Sequence, residues 1–543
     1  MSLSSFFGLN IGVSALDAMQ QAEDVVANNI SNANTPGYVQ ETAQLQESSA
    51  YPPIPSQDQP IMGGQMGQGV DVSEVTRDTN SFVNEQDRSN QSTYNMYKTY
   101  DTNLTQIESI LNEPSSDSMQ NAVDQFFASW QTLSTDPSNT AARQSVISEA
   151  QTLGQTFQTI TTQLEGLQSN LVSQIQEQVQ ELNGYASQVA QLNNQIVQIN
   201  QMNSAPSAGG QSSQQESPNQ LLDQRGHILD EMAQLSNISY NQTGFTGAVS
   251  VNIGSGLSLV TLTNGSWTST TMTISSMTQT SLVTQTSMVT STNDQLMQSP
   301  LTLTNVTSGM VAGNTQSLDY TNQLLANLDT FLSSFSNQVN AIQGASGTST
   351  IPVTAYPLIG NTATYLVTGS SSGITYTYGN LFIPTTTTAG NVVLTVNPLF
   401  TQNSGTNYIS ASDQPSSQGN NTIAQQMENL QSQSISITYT QFSSFQFGSS
   451  TYTNSSYSQN TTADQYLASI VSNLGIQTAA VQSSESTANS LAQQSSNLRQ
   501  SISGVDTNDQ AAKMVEFQNS YDAAAKFISV YDTMLQSLIN MIP

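Results

Sequence analysis

The sequence contains no cysteine, one histidine and only eight lysine and arginine residues among 543. Without cysteine the chain can form neither a disulfide nor a thiolate ligand for a metal. A single histidine, His227, excludes catalytic and metal sites that need several imidazoles. The eight basic residues face 37 acidic ones, and the resulting net charge of −29 argues against binding to phosphate backbones or anionic membranes. Most common enzyme chemistries therefore lack the side chains that they need.

Charged residues make up 8% of the chain and hydrophobic residues 36%, whereas ordinary soluble domains contain about 25% charged residues. Serine, threonine, asparagine and glutamine fill the difference, so we expect thin cores in elongated helices and small β units. The first basic residue is Arg77, so the N-terminus lacks the positive region of a cleaved signal peptide. No apolar run has the length of a membrane span. We expect a protein that is either cytoplasmic or exported without signal cleavage.

Hydrophobic periodicity predicts a mainly α protein with inserted β domains. Helices are expected at residues 3–32, 81–113, 116–133, 140–203, 218–235, 319–343 and from 463 to the end. Period-two segments rich in threonine, serine, valine and tyrosine predict short strands between them. We expect four units: residues 1–60 with 463–543 as a terminal coiled-coil assembly domain, 61–237 with 307–344 as a helical rod-like domain of long helices, 238–306 as a first β domain, and 345–462 as a second, outer β insertion.

The C-terminal segment has a regular heptad pattern. Its apolar residues follow alternating steps of three and four, which is the seam of a coiled coil: Met514, Phe517, Tyr521, Ala524, Ile528, Tyr531, Leu535, Leu538 and Ile542. So narrow a seam needs a partner helix. The N-terminal helix offers a second stripe, consisting of Leu9, Leu16, Met19, Val26 and Ile30. We therefore predict that the two terminal helices pair.

Two residues near the middle of the chain are candidates for chemistry. His227 could act as a general base beside Asp223 or Asp230, but no second histidine or nucleophile accompanies it, and we expect a solvent-facing position. Arg225 has Leu221 and Leu222 among its apolar helical neighbours. Its guanidinium must reach water or pair with a carboxylate of another element, so these three residues are expected to be structural. We predict no catalytic, cofactor or metal site.

Three stretches resemble the bacterial flagellar rod, hook and hook-associated protein family. Residues 28–38, Asn-Asn-Ile-Ser-Asn-Ala-Asn-Thr-Pro-Gly-Tyr, resemble its N-terminal signature, and residues 501–541 resemble its C-terminal segment. Residues 217–225, Ser-Pro-Asn-Gln-Leu-Leu-Asp-Gln-Arg, look like a motif of its hook-associated members. The resemblance implies that the turn containing Asn32, Pro36, Gly37 and Tyr38 belongs to the assembly interface.

The resemblance also implies a location and partners. The end helices would line the inner tube of the flagellum, the middle helices would form the next shell, and the β segments would point outward. The protein would leave the cell through the flagellar type III export apparatus and would be an extracellular adaptor at the hook–filament junction. Its partners would be further copies of itself in a ring, the hook protein, hook-associated protein 3, and a cytoplasmic chaperone bound to the C-terminal helix.

Other interpretations remain open at the level of the sequence. The chain could be another axial component, of hook or filament type. It could also be a secreted adhesin-like protein with a helical stalk and a threonine-rich β tip, whose binding would survive removal of residues 511–543. An enzyme within residues 345–460 would need activity in that insert, and no residues there form a recognisable catalytic set.

Overall fold

The computed structural model describes residues 7–48, 67–204, 217–242, 247–254, 256–274, 287–291, 301–302, 306–344, 367–369, 375–376, 380–398, 400–402, 405–412, 419–440 and 456–540. Within these ranges the protein is mainly helical with small antiparallel sheets, as predicted for the fold class. No helix in the described ranges is both long enough and apolar enough to cross a bilayer.

The helices are α1 (Phe7–Asn32), α2 (Ser81–Leu111), α3 (Met119–Thr135), α4 (Thr140–Ser204), α5 (Asn219–Leu235), α6 (Met310–Gly344), α7 (Thr422–Leu430), α8 (Ala463–Ser503) and α9 (Thr507–Asn540). Most of the described ends lie within a few residues of the predicted ones. The expected continuous C-terminal helix is instead divided at Gly504, where the backbone is extended. The expected start of α6 at residue 319 is also wrong, because the helix begins nine residues earlier.

The strands form hairpins and small sheets, all antiparallel. They are β1 (Glu41–Glu47), β2 (Val70–Arg77), β3 (Ile238–Gln242), β4 (Val249–Ile253), β5 (Leu257–Thr263), β6 (Ser266–Ser269), β7 (Thr271–Ile274), β8 (Ser287–Ser291), β9 (Leu301–Thr302), β10 (Val367–Gly369), β11 (Thr375–Tyr376), β12 (Phe382–Thr386), β13 (Val392–Val396), β14 (Ile435–Thr440) and β15 (Ser456–Thr461). The hairpin β1–β2 was not expected. Residues 49–66, between its two strands, lie outside the described ranges.

The hydrophobic core lies between the long helices. The helix α4 buries its apolar stripe against α3, α5 and α6, and α2 packs along α8 in the antiparallel direction. At the centre of the core, fully buried aromatic rings from α3, α4 and α6 meet with centroids 5.4–6.0 Å apart: Phe126, Phe127, Phe157, Phe331 and Phe335. These rings make edge, tilted and stacked contacts, which add to the stability that their burial supplies.

Asparagine side chains dock the strands onto the helices. In each case the side-chain amide donates to the carbonyl of one strand residue and accepts from the N–H of the same residue, as a neighbouring strand would. The pairs are Asn183 with Met272, Asn193 with Val249, Asn194 with Trp267, and Asn340 with Phe382, at 2.7–3.2 Å. These four strand residues therefore keep partners for their backbone groups where they meet the helical core.

Two carboxylates lie beneath the hairpin β12–β13. Asp329 of α6 accepts a 2.8 Å hydrogen bond from the backbone N–H of Val392. Glu165 of α4 accepts a 2.6 Å hydrogen bond from the side-chain amide of Asn391. Burial, reinforced by the negative charge of Glu165 and opposed by the Val392 hydrogen bond, raises the pKa of Asp329 to about 7. Protonation of Asp329 therefore favours the docked hairpin.

Candidate assembly site

The two terminal helices α1 and α9 pack on each other in the antiparallel direction, because the start of α1 meets the end of α9 and Asn29 meets Gln510. The contact depends on small residues of α1. A Cβ added at Gly8 would lie 2.6 Å from a ring carbon of Tyr531, and one added at Gly12 would lie 2.6 Å from Ile528 Cγ1. Glycine at these positions lets the large side chains of α9 approach the backbone of α1. The buried face of α1 is therefore the stripe Gly12, Ala18, Ala22, Val26 and Asn29.

The predicted α1 stripe lies mostly beside this contact face. Val26 is buried, whereas Leu9, Leu16, Met19 and Ile30 are half-buried. Because the prediction followed large apolar residues, it missed the small ones. The signal was present, since Gly8, Gly12, Ala15, Ala18 and Ala22 recur at steps of three and four.

The predicted α9 seam does face α1. Its half-buried members are Met514, Phe517, Ala524, Ile528, Tyr531 and Leu535. Tyr521 is exposed at 36%. The side chain of Leu538 and all of Ile542 lie outside the described residues. The role of these positions in assembly stays a prediction.

The turn after α1 is built around one asparagine. Asn29 is fully buried, and its amide nitrogen donates to the carbonyl of Glu41 at 2.7 Å and to Gln510 Oε1 at 3.0 Å. Its amide oxygen accepts from the Tyr38 hydroxyl at 2.7 Å and from the Glu41 N–H at 2.9 Å. One side chain thus ties α1, the turn, β1 and the start of α9 together. Burial, followed by the charges of Glu41 and Asp223, raises the pKa of the Tyr38 hydroxyl.

The other predicted turn residues have more local contacts. Asn32 donates to Asn28 Oδ1 at 2.8 Å and accepts from the hydroxyl of Thr35, and Pro36 is exposed. Gly37 has a φ of 78°, a conformation that favours glycine. A Cβ at Gly37 would lie 2.6 Å from the Cβ of His227. His227 is therefore half-buried against the turn rather than solvent-facing as expected.

The helix α5 carries the predicted structural residues. Leu221 and Leu222 are half-buried, and Arg225 is 8% exposed. Among the described residues, Arg225 neither extends into water nor pairs with a carboxylate, which were the two expected alternatives. The guanidinium instead donates to Asn193 Oδ1 at 3.0 Å and to the carbonyl of Gly247 at 2.7 Å. Burial, with the positive charges of Arg77 and Arg88 nearby, lowers the pKa of Arg225 to about 10, so it stays charged at neutral pH.

Two carboxylates of α5 hold arginines from three other elements. Asp223 accepts from Arg77 Nε of β2 at 2.7 Å. Asp230 accepts from Arg88 Nε of α2 at 2.7 Å and from Arg499 Nη2 of α8 at 2.7 Å. Burial raises the pKa of Asp223, and the charge of Arg77 opposes that shift. Sequence reasoning named Asp223 and Asp230 only as neighbours of His227 and missed these ion pairs, because their partners are remote along the chain.

Part of the apolar surface of the terminal helices is not covered by the pairing of α1 with α9. On α9, Phe527, Val530 and Met534 are 46%, 61% and 63% exposed, and their i, i+3, i+7 spacing puts them on one face. On α1, Val13 is 43% exposed between the half-buried Leu9 and Leu16, again on one face. The described pair therefore presents one apolar face on each helix.

Three family models match parts of the chain. A model described as "Flagellar hook-associated protein FlgK helical domain" matches residues 104–349. "Flagella basal body rod protein" matches residues 9–38, and "Flagellar basal body rod FlgEFG protein C-terminal" matches residues 499–541. These ranges contain the central helices, the helix α1 with its turn, and the end of α8 with α9.

Named relatives agree with these models. Flagellar hook-associated protein 1 of Escherichia coli (strain K12) is 25% identical over 98% of this chain and 99% of its own length. Flagellar hook-associated protein 1 of Bacillus subtilis (strain 168) is 32% identical over 44% of this chain and 45% of its own length, so the match spans about half of that relative. The solved structure of the flagellar hook junction protein FlgK from Burkholderia pseudomallei has 23% identity, covers 56% of this chain and 47% of its own, and gives a TM-score of 0.41. Along 98% of its length the chain is therefore similar to a flagellar hook-associated protein 1, and its central helices match the helical-domain model of that family of flagellar structural proteins.

Proposed function

We propose that this protein is a structural adaptor that polymerises through α1 and α9 at the junction of the flagellar hook and filament, and that it has no enzymatic role. The relatives are named for association with the hook and for the hook junction. The rod-type family models match at both ends of the chain, where the paired helices lie. An elongated helical body with uncharged polar surfaces suits such a structural role.

The exposed apolar face of α9 is the observation that carries the proposal. Phe527, Val530 and Met534 remain open after α9 has packed on α1. The neighbouring face of α1 around Val13 is open as well. Because the two faces lie on different helices, one copy can cover the α9 face of the next with its own α1 face. A heterologous contact of this kind generates rings or helical arrays.

The four units expected from the sequence enter the proposal with two changes: β2 (Val70–Arg77) joins the terminal unit, and α8 (Ala463–Ser503) leaves it. The terminal unit consists of α1, β1, β2 and α9, and we propose that α1 and α9 form a coiled coil in the assembled ring. The helix α8 is grouped here with the rod-like unit, because it packs along α2. The two β units, at residues 238–306 and 345–462, would face outward.

The proposed partners follow from this position in the flagellum. They are further copies of the chain in a homo-oligomeric ring, the hook protein on one side and hook-associated protein 3 on the other. Before export, a cytoplasmic chaperone would cover the C-terminal helix, and the flagellar type III apparatus would carry the chain out of the cell. No nucleic acid, membrane insertion or cofactor enters the proposal.

Electron microscopy of a deletion strain, with flagellin assayed in the medium, tests the proposal. Completed hooks without filaments, together with flagellin lost to the medium, are the expected result. Missing hooks would make the protein a rod or hook component. Intact flagella would overturn the proposal and favour an adhesin-like protein.

A pair of variants tests the α9 face in the same strain. Val530→Asp places a charge in the open apolar face, and Ser529→Asp places the same charge at the adjacent exposed position. We expect the deletion strain to form no filaments when it carries Val530→Asp, and to form filaments when it carries Ser529→Asp. Equal complementation by both variants would show that this face is not an assembly surface.

A further inference from the structure

The helix α5 stands between the terminal unit and the rod-like unit. Its carboxylates Asp223 and Asp230 are seven residues apart, which is two helical turns and places them on one side of the helix. Each accepts a charged hydrogen bond from arginine at 2.7 Å. The two ion pairs therefore have similar chemistry, but they connect α5 to different parts of the molecule.

The partners of Asp223 all belong to the terminal unit. Arg77 lies at the end of β2, and the backbone N–H of Val39, just before β1, donates to the second carboxylate oxygen at 3.3 Å. Asn219, at the start of α5, donates to the carbonyl of Val75 in β2 at 2.9 Å. One end of α5 thus holds both strands at the base of the hairpin β1–β2.

The partners of Asp230 all belong to the rod-like unit. Arg88 comes from α2 and Arg499 from α8, and Arg499 also pairs with Asp87 of α2 at 3.2 Å. These contacts join helices that already pack on one another along their length. Loss of Asp230 would therefore weaken a contact that extensive packing supports.

The terminal unit has no comparable support among the described residues. Its elements α1, β1, β2 and α9 pack mainly on one another. Apart from the α5 contacts, the hydrogen bond from the Gln40 N–H to the Ser503 carbonyl, at 2.9 Å, links the start of β1 to the end of α8. The orientation of the unit on the rod therefore depends on a few polar contacts, of which the Asp223 ion pair is the charged one in the described part of the chain.

We propose that Asp223 is a positioning residue, which holds the terminal unit on α5 in the single orientation that assembly into a ring requires. The inference rests on the proposed function, because a ring closes only if every copy presents its α1 and α9 faces at the same angle. An exposed side chain could be replaced without the loss of a specific contact between the two units, whereas Asp223 is buried. Asp223 is 8% exposed, and its bonds come from Arg77, at the end of β2, and from Val39, just before β1.

Distance measurements on the full-length monomer test the inference without relying on assembly. The chain lacks cysteine, so two introduced cysteines take spin labels without background. Gln20→Cys on α1 and Thr105→Cys on α2 are both at exposed positions. We expect one narrow distance distribution in the parent, its loss in Asp223→Asn, and its retention in Asp230→Asn. Circular dichroism checks that each variant is folded.

A second variant approaches the same ion pair from the other side. Arg77→Gln should broaden the distribution as Asp223→Asn does, and the double variant should be no worse than either single one. A narrow distribution in Asp223→Asn, or equal broadening in Asp230→Asn, would overturn the inference. Complementation of the deletion strain is the separate readout for assembly. Asp223→Asn should yield fewer filaments than Asp230→Asn, and equal numbers would refute the link between orientation and assembly.

Discussion

Replacing Asn29 by alanine should open the terminal unit locally without unfolding the rod. Asn29 makes hydrogen bonds to Glu41, Tyr38 and Gln510, and its side chain is fully buried. Alanine can make none of these bonds. The backbone N–H and carbonyl of Glu41 would lose a partner that satisfies both of them at once. The Gln510 amide oxygen would also lose its donor.

The size of the effect follows from counting these bonds. Four hydrogen bonds at about 1 kcal/mol each give about 4 kcal/mol, and groups left unpaired in a buried site raise that cost rather than lower it. Alanine regains about 0.5 kcal/mol because it has the higher helix propensity. The net loss of about 3.5 kcal/mol corresponds to an increase of about 300-fold in the population of the open state.

Hydrogen exchange of α1 and β1 peptides, followed by mass spectrometry, measures this opening directly. The matched control is Asn28→Ala, one residue earlier in the same helix. Asn28 is exposed; its amide nitrogen donates at 3.3 Å and 3.5 Å to Tyr38 and Glu41, and its amide oxygen accepts from Asn32 at 2.8 Å, all at exposed positions. Both variants gain the same helix propensity, so their difference isolates the buried bonds. If Asn29→Ala and Asn28→Ala exchanged at the same rate, Asn29 would not hold the turn.

Three further outcomes follow from other parts of the molecule. Burial is the main cause that raises the pKa of Asp329 from 3.8 to about 7. Its contribution to stability is therefore complete below pH 3.8 and is lost as the pH rises through 7. Thermal unfolding measured as a function of pH should show this loss, and Asp329→Asn should remove the pH dependence. Gly37→Ala should destabilise the turn by at least about 1–2 kcal/mol, because residue 37 has a positive φ. Faster hydrogen exchange of the α1 peptides would detect this cost. Hydrogen exchange at the parent rate would contradict the prediction. Association of copies should strengthen with added NaCl, because the net charge of −29 makes copies repel; sedimentation showing the opposite trend would require ion pairs between copies.

Periodicity predicted the helices well where large apolar residues mark the buried face. It failed at the start of α6, where the buried residues are small or polar, such as Val311, Ala312 and Asn314. A Cβ at Gly313 would lie 2.6 Å from the backbone oxygen of Met96. This part of α6 thus contacts α2 through its backbone, and a pattern of large side chains cannot reveal such a contact.

The same limitation applied to the terminal pair, for a related reason. The heptad seam of α9 was visible because its residues are large, whereas the matching face of α1 is small at Gly8 and Gly12. A pair of helices needs complementary shapes, so large residues on one helix favour small ones on the other. The large residues of α1, including Leu9 and Leu16, are consequently left half-buried on an adjacent face.

Polar partners were the part of the site that sequence reasoning could not supply. Asn29 and Asn193 each satisfy both backbone groups of one strand residue, Glu41 and Val249 respectively. Asparagine is a poor helix former, so its presence within α1 and α4 signals a tertiary role. The identity of the partner depends on the tertiary fold, which periodicity alone does not determine.

The scarcity of basic residues makes their placement informative. All eight lie in the described part of the chain, and every arginine bonds within its own molecule. Four of them converge around α5: Arg77, Arg88, Arg225 and Arg499. Arg143 binds the backbone carbonyls of Pro137 and Ile409. Lys98 lies above the ring of Tyr94, and Lys513 pairs with Asp509. Lys526 is the eighth basic residue. Because most of the cations are engaged inside the molecule, a neighbouring copy finds few partners for its carboxylates. The open apolar faces of α1 and α9 would then supply contacts between copies, and the Asp223–Arg77 ion pair would determine the angle at which those faces meet.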